Sequence, residues 1–263
     1  MSIALLLGGT SEHGNVQHRY LAGRFLEQFG EKVDCIISAR PKSDPISVRL
    51  RRMIKRGHYR ERLARAIYGA GYGPSDEHLQ PLLLPGESSA RMPGGDRHFI
   101  VDSHNGSDCE VLLDQYKPDV IVVYGTAIIK SNIFSRAQRI TLNMHTGLSP
   151  YYRGDSTLFW PVYYDDPSKL GVTVHELVES VDGGAIAATA QVVYEPGDSE
   201  ANLFAKGVMA GTDIYLRAVQ QALDGTLICT PQDLSAGREF RWMHRTVAAE
   251  RQVLSNLQTW ART

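Results

Sequence analysis

Cysteine is scarce in this sequence, and its scarcity limits the chemistry available. Only 3 of the 263 residues are cysteines, and Cys35, Cys109 and Cys229 lie too far apart to form a metal-binding motif. An odd number of isolated cysteines is typical of free thiols in a reducing compartment and argues against a disulfide framework. We therefore expect free thiols and no bound metal.

Net charge and long apolar runs are also lacking. The formal net charge is −1 and the sequence pI is about 6.8, which argues against the broad positive surface that nucleic acid binding requires. The apolar run Ile3–Leu7 is too short to span a bilayer, and no basic segment precedes it as in a signal peptide. The sequence predicts a cytoplasmic protein whose partners include neither nucleic acid nor a membrane.

Strand patterns that alternate with helix patterns predict the fold class, an α/β fold with a doubly wound, mainly parallel, Rossmann-like sheet. The first strand, at 3–7, leads into a turn of small residues and then a helix at 15–29. Such sheets bind ligands at the carboxyl ends of their strands. Further strands are predicted at 32–38, 118–124, 139–144 and 185–193, and helices at 109–116, 200–223 and 246–258.

The turn after the first strand contains Gly9 and Thr10 but not the G-x-G-x-x-G fingerprint of dinucleotide-binding proteins. A tight turn is the simpler role for these residues, and a contact with a substrate phosphate is the alternative. Residues 46–70 predict a basic helix, and 71–98 a long loop rich in glycine and proline. The arginines of the basic stretch, including Arg51 and Arg52, suit a solvated helix face or a phosphate clamp.

The pattern that says most about catalysis consists of Asn143, His145 and Asp182. In a strand that includes 143–145, the first two side chains point to the same face, so an amide and an imidazole can converge on one small group. Asp182 follows a second strand-like run and precedes two glycines, which allow a ligand to approach the backbone. Each residue alone is more often a satisfied polar group or a turn former. Their order and spacing together predict an oxyanion site with an adjacent carboxylate.

The motifs around these residues resemble those of the folate-dependent formyltransferases, which include glycinamide ribonucleotide, methionyl-tRNA and sugar N-formyltransferases. The shared pattern is N-x-H, a proline-containing loop, G-x-T-x-H at 171–175, and an aspartate seven residues after the second histidine. The resemblance covers about residues 1–225, which we expect to form the catalytic domain with a variable insertion at 46–98. Residues 226–263 are expected to form a short C-terminal extension.

The resemblance implies that 10-formyltetrahydrofolate is the formyl donor and that no metal takes part. Asn143 and a protonated His145 would stabilise the negative oxygen, at about 3–4 kcal/mol for a single donor. Asp182 would orient and charge His145 and receive the amine proton. By matching position, two segments would hold the pterin: Tyr124, Gly125, Thr126, Ala127, Ile128, Ile129 and Lys130, and Val178, Glu179, Ser180 and Val181. Ile128 and Ile129 suit the faces of a pterin, although one of them could instead pack under the sheet.

Three segments resemble the corresponding sequences of the sugar N-formyltransferases. They are the loop after His145, its continuation Tyr151-Tyr152-Arg153-Gly154, and Phe159-Trp160. This resemblance favours a nucleotide-linked amino sugar as the acceptor and implies a homodimer. The predicted acceptor contacts are Gly9, Thr10, Thr146, Arg153, Arg51 and Arg52. Methionyl-tRNA is disfavoured, because the chain lacks room for that enzyme's C-terminal domain and has no positive net charge.

Other functions stay open at this point. A formyltetrahydrofolate hydrolase would need the same three residues, and the amine could instead be glycinamide ribonucleotide or an amino acid derivative. A Rossmann-type oxidoreductase and an inactive folate-binding protein are alternatives from other classes, because a fold does not fix a function. The missing dinucleotide fingerprint counts against the former, and the intact catalytic pattern counts against the latter.

Overall fold

Residues 1–8, 15–40, 59–68 and 73–262 are described by the structure, which is a computed structural model. Their strands are β1 Ile3–Leu7, β2 Val33–Ala39, β3 His98–Val101, β4 Val120–Tyr124, β5 Ile140–His145, β6 Tyr152–Gly154, β7 Gly171–Glu176, β8 Ile186–Gln191 and β9 Arg238–Phe240. Their α-helices are α1 Val16–Phe29, α2 Tyr59–Tyr68, α3 Asp76–Leu83, α4 Ser107–Tyr116, α5 Ser131–Phe134, α6 Phe159–Tyr163, α7 Glu200–Asp224 and α8 Val247–Trp260.

A seven-stranded sheet in the order β3-β2-β1-β4-β5-β7-β8 organises these elements. The first five strands of that order pair in parallel, and β7 and β8 are added antiparallel beyond β5. The predicted α/β fold with a doubly wound, mainly parallel sheet is confirmed. From β1 the chain adds β2 and β3 on one side of the sheet, and then returns to add β4 and β5 on the other side. Doubly wound sheets have their ligand crevice at this switch point, between β1 and β4.

The central strands are apolar because both faces of the sheet are covered. All five residues of β1 are fully buried, and β4 is buried along its whole length. Helices α1, α3 and α7 supply apolar residues to the core on one face, and α4 and α5 to the core on the other. A strand buried on both sides requires a continuous apolar run, and this explains the pattern that predicts β1.

The interpretation of 71–98 as a loop is wrong over part of its length, because α3 lies within it. Ser75 occupies the N-cap position, and Asp76 and Glu77 place negative charge in the first turn, where the helix dipole favours it. Leu79 and Leu83, four residues apart, are both buried in the core. Tertiary packing therefore maintains a helix even though Pro81 lies inside it.

The residues after 225 are built into the fold. Strand β9 pairs in parallel with β6 to form a two-stranded ribbon, and α8 packs on α6. Each strand of the ribbon is only three residues long, which is too short for a periodic pattern, so the sequence does not predict either strand. The division into a domain at 1–225 and an extension at 226–263 stays a prediction. Gly9, Thr10, Arg51 and Arg52 lie outside the described residues, so their roles also stay predictions.

Candidate active site

Strands β5 and β7 lie side by side and bring the two motifs together. In their antiparallel register Asn143 is opposite His175, and His145 is opposite Thr173. Opposite residues share a face, and so do residues two apart on one strand. The four side chains therefore project from the same face of the sheet.

Asp182 completes the cluster from the loop between β7 and β8. Its Oδ2 lies 3.3 Å from His145 Nδ1, and its Oδ1 lies 3.5 Å from His175 Nε2. The backbone N–H of Gly154, in β6, donates to Oδ2 at 2.8 Å. The structure thus brings together the three residues predicted as catalytic, and it adds His175. This histidine belongs to the G-x-T-x-H motif, but the motif alone does not predict its role.

The glycine and threonine of G-x-T-x-H have structural roles. A Cβ atom at Gly171 would lie 2.8 Å from the carbonyl oxygen of Ala190 on β8, so a side chain there would push the two strands apart. The buried Thr173 hydroxyl donates to the Gly147 carbonyl at 2.8 Å and accepts from the Ser149 N–H at 2.9 Å. These two bonds fix the loop that follows β5.

His175 orients the amide of Asn143. Its Nδ1 is 2.7 Å from the Glu176 carbonyl oxygen, which can only accept, so Nδ1 carries a hydrogen. In the neutral ring Nε2 is then an acceptor, and it lies 3.2 Å from Asn143 Nδ2. This contact uses one amide hydrogen of Asn143 and leaves the second free to donate to a ligand.

Both ring nitrogens of His145 face protein atoms. Nε2–H donates to the Tyr152 carbonyl oxygen at 2.8 Å, so any second proton on the ring resides on Nδ1, toward Asp182. Burial lowers the pKa of His145, and the Asp182 charge opposes that effect. Burial acts to raise the pKa of Asp182, but His145 beside it and the Gly154 N–H hold that pKa below its usual range. If neither atom carried a proton, the lone pairs of Nδ1 and Oδ2 would repel each other at 3.3 Å. We therefore infer that one proton lies between these two atoms.

The backbone of Asp182 is held in a conformation that side-chain-bearing residues rarely adopt. Its φ is 46°, in the left-handed region. Gln232, from the C-terminal segment, donates to the carbonyls of Asp182 and Gly184 at 2.8 and 2.6 Å. Arg153 donates to the Val181 carbonyl at 3.4 Å, and its contact with the acceptor stays a prediction. Both side chains therefore support the loop that carries the carboxylate.

A cavity of 510 Å³ lies beside this cluster. Its walls come from the loop 126–129 after β4, the segment 177–182 after β7, and the segment 239–243 around β9. Among the described residues that line it, Asn143 and Asp182 are present and His145 is not. Direct donation from His145 to a ligand would require one of its two protein contacts to break, so that role stays a prediction.

Several residues predicted to bind the pterin line this cavity, namely Thr126, Ala127, Ile128, Ile129, Val178, Glu179, Ser180 and Val181. Ile128 and Ile129 lie in different environments, as expected if one of the two packs under the sheet. Ile128 is 74% exposed, whereas Ile129 is 5% exposed and packs in the core under the sheet. Asn105 holds their loop by donating to the Ile128 carbonyl and accepting from the Lys130 N–H, both at 2.8 Å.

The remaining predicted contacts lie away from this cavity. Tyr124 is buried and packs edge-to-face on His18. Gly125, with φ of 62°, lines a neighbouring cavity of 290 Å³ at the carboxyl ends of β1 and β2. Lys130 is exposed beyond the loop. Thr146 lines a different cavity of 300 Å³, which it shares with Arg245.

Two classes of feature are absent from the described part of the chain. No group of three or more His, Cys, Asp or Glu side chains there is arranged to hold a metal ion. None of the helices described is long and apolar enough to cross a membrane.

Comparison with known proteins finds a family model that matches the region containing the cluster. Residues 98–219 match the model of the family described as formyl transferase. The chain is 32% identical over 131 residues to a methionyl-tRNA formyltransferase of Lactobacillus gasseri, an alignment that covers 49% of this chain and 41% of that protein. This chain therefore spans less than half the length of that relative.

Solved structures show similarity over nearly the whole chain. A sugar N-formyltransferase from Shewanella has a TM-score of 0.60 at 13% identity, covering 97% of this chain and 88% of that one. An N-formyltransferase from Helicobacter canadensis, solved with folinic acid and dTDP-3-aminofucose, has a TM-score of 0.57 at 14% identity, covering 98% and 81%. At these identities the likeness shows the shared fold.

Proposed function

We propose that this chain, whose residues 98–219 match the formyl transferase family model, transfers a formyl group from 10-formyltetrahydrofolate to the amine of a small molecule. One observation carries the proposal. A partly buried carboxylate, Asp182, lies 3.3 Å from an imidazole nitrogen of His145 at the wall of a cavity that Asn143 also lines. That arrangement offers a proton acceptor and an oxyanion donor to one reacting carbon.

Asp182 is suited to take the proton that the amine loses. Its Oδ2 is occupied by Gly154 N–H and His145, whereas the nearest contact described for Oδ1 is 3.5 Å long. Oδ1 is therefore the oxygen open to a new hydrogen bond. Because the pKa of Asp182 lies below its usual range, the carboxylate is ionised at neutral pH, and it can accept the acidic proton of the amine nitrogen once that nitrogen has added to the formyl carbon. His145 contacts the other carboxylate oxygen, Oδ2. The proton shared along that contact can shift when Oδ1 receives the proton of the amine.

Asn143 is suited to stabilise the oxygen of the formyl group. When bound, 10-formyltetrahydrofolate would supply the formyl carbon to which the amine nitrogen adds, and its own nitrogen would leave with the proton that Asp182 takes from the amine. The free amide hydrogen of Asn143 can donate to the oxygen as negative charge develops on it. His175 holds that amide from behind, so no reorganisation is needed at the moment of reaction.

The volume and lining of the cavity fit a folate. Its 510 Å³ is within the range of roughly 300–1,000 Å³ typical of small-molecule sites. Ile128, Val178 and Val181 are more exposed than apolar side chains usually are, and they offer flat apolar contacts for a ring. Backbone groups of the two loops can pair with the polar edge of a pterin.

We propose a nucleotide-linked amino sugar as the acceptor. The sequence from Tyr151 to Gly154 supports this choice, and a structural neighbour was solved with a dTDP-amino sugar. Methionyl-tRNA is the competing acceptor, because the relative from Lactobacillus gasseri carries that name. A homodimer, a cytoplasmic location and the predicted acceptor contacts belong to the same proposal.

A screen of amines with 10-formyltetrahydrofolate tests the function. The expected result is one amine class that gains the mass of a single formyl group while tetrahydrofolate forms in equal amount. Release of formate without any formylated amine would instead establish a hydrolase. Formylation of charged initiator tRNA, with no reaction of amino sugars, would establish the competing acceptor.

Asn143→Ala should lower kcat roughly a hundredfold or more while the folate KM changes only several-fold. The lost hydrogen bond strengthens in the transition state, and removing one oxyanion donor costs on the order of 10²–10³ in rate. Steady-state kinetics with the amine identified above measure both constants. Near-normal kcat in a folded variant would remove Asn143 from the oxyanion site.

Ile128 and Ile129 should respond differently to the same truncation. Ile128→Ala should raise the folate KM several-fold and leave the free energy of unfolding almost unchanged, because its side chain is 74% exposed at the cavity. Ile129→Ala should lower the free energy of unfolding by about 2–4 kcal/mol, as truncations in a core do. Urea denaturation and folate titration separate the two. If both variants lost folate affinity at unchanged stability, the assignment of Ile129 to the core would be wrong.

A further inference from the structure

A second cavity, of 390 Å³, lies at the opposite end of the β6–β9 ribbon from the proposed active site. Three tyrosines, Tyr151, Tyr152 and Tyr164, line it together with Lys169, Arg238 and Asp166. All of these belong to described segments, and the proposed reaction uses none of their side chains. The cavity combines aromatic faces, two cations and one carboxylate.

The two cations rest on aromatic rings. Lys169 Nζ lies 3.7 Å from the centroid of the Tyr151 ring, and the Arg238 guanidinium lies 5.0 Å from that of Tyr164. Within the described ranges, neither forms an ion pair with a carboxylate. A cation on an exposed ring gains only about 0.5–1 kcal/mol. Each cation is therefore available to an anion that can offer a charge-assisted hydrogen bond.

The aromatic and acidic groups define the rest of the ligand. Arg238 lies over one face of the Tyr164 ring, and this residue is still 42% exposed, which leaves ring surface for a planar ligand. Stacking of a base on an aromatic side chain is worth roughly 1–3 kcal/mol. Asp166 accepts a hydrogen bond from Ser168 at 2.7 Å, and its remaining lone pairs suit the hydroxyls of a sugar. The cavity can thus offer separate partners to a flat ring, a sugar and an anion.

We propose that this cavity binds a nucleoside phosphate, separately from the proposed active site. The base stacks on Tyr164, the ribose hydroxyls donate to Asp166, and the phosphate is held by Lys169 and Arg238. A volume of 390 Å³ is near the lower limit of small-molecule sites, at roughly 300 Å³, and so favours a mononucleotide. The inference does not depend on formyl transfer.

Binding of UMP to the full chain tests the proposal by calorimetry, with uridine as a second probe. Arg238→Ala should weaken UMP binding about tenfold, the size of one lost charge-assisted hydrogen bond, and leave uridine binding unchanged. Tyr164→Leu should weaken both probes by about tenfold through lost stacking. Arg217→Ala, which removes an exposed arginine from α7, is the matched control and should change neither.

Photocrosslinking locates the site, since a nucleotide could also bind where the acceptor does. 5-Iodouridine monophosphate should crosslink to peptides that contain Tyr151, Tyr152 or Tyr164, and excess UMP should prevent it. Arg238→Ala should reduce this crosslink about tenfold. Crosslinks confined to other peptides, equal UMP affinity in wild type and both variants, or no UMP binding at millimolar concentration would each overturn the proposal. All of these readouts are independent of formyl transfer.

Discussion

Asp182→Asn should lower kcat/KM for formyl transfer by about a thousandfold, within the roughly 10²–10⁴ range of general acid–base catalysis. An amide cannot take the amine proton at the position of Oδ1, and it cannot share a proton with His145 Nδ1 at the 3.3 Å contact. The fold should persist, because asparagine tolerates the left-handed region at φ 46° better than most residues. Kinetics and a thermal melt of the same preparation check both statements.

Glu239→Gln is the matched control, because Glu239 is a second carboxylate that lines the same cavity. Its removal changes the net charge by the same amount but leaves the contacts of Asp182 intact. The control should retain kcat/KM within several-fold of the wild type. Activity of Asp182→Asn within tenfold of the wild type would move the proton acceptor elsewhere in the protein.

Arg245→Met should lower the free energy of unfolding by about 3–5 kcal/mol, the usual cost of removing one partner from a buried charge cluster. Arg245 is 3% exposed and forms two hydrogen bonds of 2.7 Å with Glu200, at the start of α7. It also pairs with Glu250 of α8 at 2.7 Å and lies over the Phe159 ring. Its loss would leave Glu200 without a cation among its described contacts, whereas Glu250 would keep Arg65 at 3.4 Å; urea denaturation measures the cost.

The loss from Arg245→Met should shrink at acidic pH. Burial raises the pKa of Glu200 above its usual 4.5, and Arg245 opposes that rise. Without the arginine the pKa of the folded state rises further, so the folded variant binds more protons than the unfolded chain, and its stability falls as pH rises above about 4.5. Arg245→Met combined with Glu200→Gln should recover part of the stability.

Arg241→Met, at a site 71% exposed, is the control and should cost less than about 0.5 kcal/mol. A loss below about 1 kcal/mol in Arg245→Met would contradict the role given to this cluster.

The elements that could be predicted are those whose signal is local. The apolar run of β1 is predictable because a strand covered on both faces needs one. Asn143 and His145 share a face because side chains alternate along any strand, wherever that strand packs. Helix α3 had a local signal as well, in Ser75 and the spacing of Leu79 and Leu83, but the surrounding glycines and prolines concealed it.

The sequence alone determined the strand and helix order, the pairing of an amide with an imidazole, and an aspartate placed to follow a strand. Only the tertiary structure decided that Asp182 meets both His145 and His175, that Gln232 fixes its backbone, and that Ile128 is exposed while Ile129 is buried. It also turned His145 away from the cavity, with both nitrogens on protein atoms. Backbone periodicity arises from near neighbours, whereas these contacts join residues tens of positions apart and exist only once the elements have packed.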